Sequence, residues 1–205
     1  DKIFSLNWSS DGFKILSGSY DGSAALWDAR SGNLLYRLED HKENVYRVNF
    51  FDNDTKIFTT GYDGTVRIWN AQSGKQLKVF REHVDAVYSA DVSGDGKIIS
   101  ADYTGKTFLW NTSGSFRPKE LEGQDETIFS VKFSPSDKYF LTGGYGKKLF
   151  LYSMPEGKIE KIVDVKSIIT DISFSTDGKS ISLAHYIGDI SVYSFPELEK
   201  IVSFN

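Results

Sequence analysis

His41, Thr59 and Asp63 bring together an imidazole, a hydroxyl and a carboxylate, the parts from which hydrolases build a nucleophilic triad. Two further histidines, His83 and His185, complete the set, and there is no cysteine. Three scattered histidines without a thiol give no metal-ligand spacing, and the lack of cysteine excludes disulfide stapling, thiolate metal sites and thiol catalysis together. Asp52, Asn53 and Asp54 resemble the opening of a calcium loop, but the downstream bidentate Glu is missing, so a hairpin turn is the simpler expectation. The Asn-x-Ser/Thr triplets at Asn7, Asn53 and Asn111 are short enough to arise by chance.

The elements that position these groups repeat. An aromatic residue closes an apolar alternation at Trp27, Trp69, Trp110, Tyr152 and Tyr193, at steps of 42, 41, 42 and 41 residues. Each unit carries four strand signals, a to d. Strand a bears apolar residues spaced three then two, as in Val45, Val48 and Phe50, which predicts a bulge. Turn signals follow at Asp11-Gly12, Asn53-Asp54, Asp95-Gly96, Ser136-Asp137 and Asp177-Gly178. Strand b is a short apolar run, strand c alternates strictly up to the periodic aromatic, and a second turn such as Ser31-Gly32, Ser73-Gly74, Ser113-Gly114 or Glu156-Gly157 leads into strand d. The four prolines fall near turns. A repeat of about 40 residues with four strands is the size of one β-propeller blade, which buries its faces only against neighbouring blades.

Residues 17–28, SGSYDGSAALWD, and 59–70, TTGYDGTVRIWN, resemble the WD-repeat signature, and the likeness extends in phase over the whole chain. It implies an all-β fold of five four-stranded antiparallel blades, spanning 1–40, 41–82, 83–123, 124–164 and 165–205 of a single 1–205 domain. These would form either a closed five-blade ring or part of a larger, seven-bladed propeller; a first repeat that starts too late to show its His favours the second. The resemblance also implies a buried tetrad of His, Ser or Thr, Asp and Trp, complete once as His41, Thr59, Asp63 and Trp69. The first repeat keeps Ser17, Asp21 and Trp27. The third keeps His83, Ser100 and Trp110 with Thr104 at the Asp position, while Thr142, Gly146, Leu183 and Ile187 break the pattern in the last two. His185 falls in the last b–c turn and is expected at the surface. The triad-like group is therefore expected to be structural, not catalytic.

One residue before the tetrad Asp, seven before each strand-c aromatic, the chain has Tyr every time: Tyr20, Tyr62, Tyr103, Tyr145 and Tyr186. In WD-repeat proteins this position and two at the start of strand a face the top surface, where partners bind. The strand-a positions are Phe4, Tyr46, Tyr88, Phe129 and Thr170, with Lys2, Asn44, Ala86, Thr127 and Ile168 two residues earlier. Such aromatics either brace the blades or form a recognition surface, and a contiguous aromatic face favours recognition.

Composition sets bounds on partners. The 205 residues are 40% hydrophobic and 15% aromatic with net charge −4, enough for a real core and without the basic stripe that nucleic acid or anionic lipid would need. No apolar run approaches a membrane span, residues 1–10 lack a leader pattern, and no Arg-Arg pair of the phosphoinositide-binding propellers is present. The expectation is a non-catalytic scaffold, cytoplasmic or nuclear, without cofactor or small-molecule substrate, holding a peptide or protein partner within a multiprotein complex. The rivals are an enzyme-type propeller with substrate in its channel, which needs more convergent carboxylates or histidines than exist, and a single-stranded RNA binder using the Tyr rings, which the charge disfavours.

Overall fold

The computed structural model describes residues 1–112 and 118–204, so the expected Ser113-Gly114 turn lies outside the described residues. Twenty strands form five antiparallel four-stranded sheets, each a simple meander. The first sheet comprises β1 (Ile3–Trp8), β2 (Lys14–Ser19), β3 (Ala24–Asp28) and β4 (Leu34–Leu38), and the second β5 (Val45–Phe51), β6 (Lys56–Gly61), β7 (Val66–Asn70) and β8 (Gln76–Phe80). The third holds β9 (Val87–Val92), β10 (Lys97–Asp102), β11 (Thr107–Asn111) and β12 (Lys119–Leu121). The fourth holds β13 (Ile128–Phe133), β14 (Tyr139–Gly144), β15 (Lys148–Ser153) and β16 (Lys158–Asp164), and the fifth β17 (Ile169–Phe174), β18 (Ser180–His185), β19 (Ile190–Ser194) and β20 (Lys200–Phe204). The all-β, five-blade expectation is met.

The core is divided into four separate seams, one between each consecutive pair of sheets. In the first, Leu16, Ala24, Leu26 and Leu38 meet Val45, Val48, Phe50, Ile57 and Trp69. Equivalent sets repeat down to the fourth seam, where Leu141, Leu149 and Leu151 meet Ile169, Ile172, Ile181 and Tyr193. A blade in the middle of the series is thus covered on both faces, which is why its central strands are apolar on consecutive residues. The periodic aromatics Trp69, Trp110, Tyr152 and Tyr193 each lie in the seam toward the preceding blade; the ring of Tyr152 stacks on Phe140 at 4.6 Å and 9°.

The innermost strands β1, β5, β9, β13 and β17 pack successively against one another. Their outer backbone edges need partners, since each lacks a strand on that side. Side chains of the preceding blade supply them. The Val48 amide donates to Ser5 Oγ (3.4 Å), the Val131 amide to Ser89 Oγ (3.1 Å) and the Ile172 amide to Ser130 Oγ (3.1 Å), while the Phe133 amide donates to Asp91 Oδ2 (2.9 Å). No comparable packing joins β17 to β1 among the described residues, and the outward faces of the first and fifth sheets are exposed.

Candidate functional site

The top-face aromatics owe their position to a repeated irregularity. In the register of β5 with β6, Val45 faces Gly61 and Arg47 faces Thr60, so Tyr46 is the extra residue of a bulge. The same skip places Phe4, Tyr88, Phe129 and Thr170 in bulges of the other inner strands. A bulge bends the strand and re-aims one side chain off the pleat. The three-then-two spacing of the apolar residues is its signature, as expected.

A second repeated bond brings the b–c turn to that bulge. The amides of Tyr20, Tyr62, Tyr103, Tyr145 and Tyr186 donate to the carbonyls of Lys2, Asn44, Ala86, Thr127 and Ile168 at 2.8 to 3.0 Å. Those strand-entry residues therefore act through their backbone, and Ala86 is buried, which removes its side chain from the expected surface. The five tyrosines stand 46 to 75% exposed. Tyr46, Tyr88 and Phe129 are half-buried and Phe4 is exposed.

The rings touch in a branched arc. Phe4 meets Tyr20 (6.1 Å) and Tyr46 (5.2 Å), Tyr46 meets Tyr62 (6.3 Å) and Tyr88 (4.8 Å), and Tyr88 meets Tyr103 and Phe129 (both 6.0 Å). All are tilted contacts of the kind aromatic quadrupoles favour. Burial, reinforced by the neighbouring Tyr46 hydroxyl, pushes the Tyr88 phenol up to about 12, so it stays a neutral donor at ordinary pH. Tyr145 and Tyr186 are exposed with no ring contact among the described residues; the fifth blade offers Tyr186 the non-aromatic Thr170 at the bulge. The bulge residues thus brace one another, and the turn tyrosines are exposed to solvent.

Beneath this face the expected tetrad is present in the second blade. Trp69 Nε1 donates to Thr59 Oγ1 (2.9 Å), Thr59 lies 2.7 Å from His41 Nε2, and His41 Nδ1 lies 2.9 Å from Asp63 Oδ1. A neutral imidazole with its proton on Nδ1 satisfies all three at once. Burial alone would push the Asp63 carboxyl up; the bonds from His41 and Thr65 outweigh it and hold the group well below the usual carboxylate range.

The third blade corrects the sequence expectation. Its acid is Asp102, not Thr104: His83 Nδ1 lies 2.8 Å from Asp102 Oδ2, His83 Nε2 lies 2.6 Å from Ser100 Oγ, and Trp110 Nε1 donates to Ser100 Oγ at 2.7 Å. Asp102 stands where the second blade has Gly61, and a Cβ built on Gly61 would lie 2.8 Å from His41 Nδ1. A side chain at that position points straight at the imidazole, so the carboxylate reaches it from two residues earlier. Thr104 instead donates to Asp102 through its amide (2.9 Å) and hydroxyl (2.7 Å).

His185 is a second correction. It occupies the same position at the end of β18 and is buried, not superficial, with Nε2 2.6 Å from Ser191 Oγ. In the fourth blade Gln124 takes the place of the His and donates through Nε2 to Thr142 Oγ1 at 2.7 Å. In the first, Trp27 Nε1 donates to Ser17 Oγ at 2.9 Å.

A family model described as WD domain, G-beta repeat matches residues 1–28, 32–70, 74–111 and 117–153. The chain belongs to this WD-repeat family. Each of the later matches starts near strand d of one sheet and ends at strand c of the next, so the repeat unit straddles a seam. The fifth WD blade lies beyond the matches, in keeping with the loss of the tetrad pattern at Leu183 and Ile187. No curated protein matches the chain. WD repeats generally serve as protein-interaction scaffolds and are typically non-catalytic.

The triad-like residues fit that character. Both ring nitrogens of His41 and of His83 are engaged and both side chains are buried, so neither faces a space that could admit substrate. The channel between inner strands holds a cavity of about 190 Å³ lined by Arg47, Asp91, Lys132 and Asp171 among others. Burial lowers the Arg47 pKa, opposed by Asp171 and Asp91; burial raises the Asp91 carboxyl, opposed by Lys132. Among the described residues no group of three or more His, Asp or Glu is placed to hold a metal.

Proposed function

We propose that the chain is a non-catalytic scaffold that holds a peptide or protein partner on its bulge-presented aromatic face, as a subunit of a larger assembly. The observation that carries this is the ring arc from Tyr20 to Phe129. Six ring contacts place seven aromatics side by side, four of them at least two-fifths exposed. A soluble domain seldom leaves so much contiguous apolar surface uncovered without a partner for it. Aromatic side chains with a polar tip bring large rigid area at small entropic cost, and they dominate interface energetics. The half-buried Tyr46 and Tyr88 would form the floor and the exposed Tyr62 and Tyr103 the walls of the contact.

Affinity capture from a native lysate tests the proposal. A Tyr62→Ala, Tyr103→Ala chain should lose partner capture by roughly 30-fold or more, the scale of one hot-spot residue. Its circular dichroism should stay that of the parent, since both side chains are exposed. Unchanged capture by the folded double variant would refute it.

A further inference from the structure

Given the recognition face proposed above, on which this rests, we infer that its occupant is a basic segment of a protein partner, with Lys and Arg side chains seated on the tyrosine rings beside an acidic rim. The loops that lead from strand d into strand a at the first three seams, residues 39–44, 81–86 and 122–127, hold eight acidic side chains against two basic ones, Lys42 and Arg81. The whole chain carries −4, so everything outside these three loops is net positive by two. The acidity is thus a property of this rim and not of the surface at large.

One acid stands beside each of the exposed tyrosines Tyr20, Tyr62 and Tyr103. Glu43, Asp85 and Glu126 lie three residues before the bulge aromatics Tyr46, Tyr88 and Phe129. Their backbones press on the b–c turns of the preceding blades: a Cβ built on Gly22, Gly64 or Gly105 would lie 3.3, 3.3 and 2.8 Å from the carbonyl oxygens of Glu43, Asp85 and Glu126. Those glycines come two residues after Tyr20, Tyr62 and Tyr103, so each ring has an acid-bearing loop against its own turn. Glu43 and Glu126 are exposed and Asp85 is half-buried, and among the described residues no ion pair neutralises any of the three. The face of a tyrosine ring attracts a cation, and a carboxylate alongside adds to the attraction. The chain's own Lys2 Nζ already stands 5.8 Å from the centre of the Tyr20 ring. Acids and ring contacts also stop together. At the fourth seam Ser167 replaces the acid, Lys166 and Lys147 bring positive charge, and the Val165 amide ties that loop to the Lys147 carbonyl at 2.9 Å. The partner's basic side chains therefore belong over the first three seams.

Fluorescence anisotropy with labelled peptides tests this, one peptide of four Arg-Gly-Ser repeats and two in which Gln or Glu replaces Arg. At about 0.05 M salt, where screening is weak, the parent should bind the Arg peptide at least about tenfold more tightly than the Gln peptide, and the Glu peptide least. A Glu43→Gln, Asp85→Asn, Glu126→Gln chain should lose that preference, and Tyr62→Ala, Tyr103→Ala should lose it too. Asn and Gln keep the shape of the acids they replace, so folding is preserved. A control chain, Glu156→Gln, Glu197→Gln, Glu199→Gln, neutralises three exposed acids of the c–d turns and should bind as the parent does. Equal binding of the Arg and Gln peptides by the parent, or equal weakening in the rim and control chains, overturns the basic occupant. The recognition face survives that result if Tyr62→Ala, Tyr103→Ala still loses lysate capture. A tyrosine variant that keeps both the lysate partner and the Arg peptide overturns face and occupant together.

Discussion

Replacing Asp102 by Ala removes an acceptor that four donors share. His83 Nδ1 (2.8 Å), the Thr104 amide (2.9 Å) and hydroxyl (2.7 Å), and the Lys106 amide (3.1 Å) all converge on its carboxylate. Thr104 and Lys106 are exposed and water can replace their bonds, whereas the His83 side chain is wholly buried and keeps an unmet donor. A buried unsatisfied group costs about 1–3 kcal/mol and the three turn bonds, partly replaced by water, about 2 kcal/mol together, so the change should destabilise by about 3–5 kcal/mol. For a chain of this size that corresponds to a fall in Tm of about 6–20 °C. Thr104→Ala, by contrast, deletes one side-chain bond on an exposed residue and should cost about 0.5–1.5 kcal/mol. Urea unfolding of both variants, followed by far-UV dichroism, makes the comparison. Equal destabilisation by the two substitutions would refute the placement of Asp102 as the buried acid.

Acid should weaken the buried networks of the second and third blades. The carboxyls of Asp63 and Asp102 sit below their ordinary value of 3.8 in the folded state, so their contribution is full above that value and is lost as the pH falls through the folded values. Urea midpoints taken downward from about pH 5 should fall less steeply for the Asp63→Asn, Asp102→Asn chain than for the parent. Gly144→Ala should destabilise by about 1–3 kcal/mol or more in the same assay, because a Cβ there would collide with the Thr127 carbonyl that holds the Tyr145 amide.

Much of this architecture was legible in the residues, because the features concerned are local. The step between strand-c aromatics sets the blade length, the three-then-two spacing marks the bulge, and the tyrosines of the b–c turns sit at a fixed offset from both. Contacts that cross a bulge were not. Asp102 and His185 lie at the strand-b position opposite the bulged pair, where direction follows backbone geometry and not residue type. Counting offsets found Thr104 at the Asp position, which left the third tetrad without an acid, and placed His185 in a surface turn. An acidic residue where the second repeat has Gly61 was the available signal. Seam exposure was illegible for another reason. Leu6, Val48 and Val131 read alike as strand-a apolar residues, yet they are 66, 3 and 0% exposed, since burial depends on whether another blade lies alongside.

Hydroxyl-radical footprinting of the chain with and without a captured partner, at fixed chain concentration, tests the proposed recognition face most directly. Tyr62, Tyr103 and Tyr20 should lose reactivity when the partner binds, while Phe13, 45% exposed in an a–b turn at the opposite end of the first blade, should not. Protection at Phe13 with the three tyrosines left reactive would contradict the account.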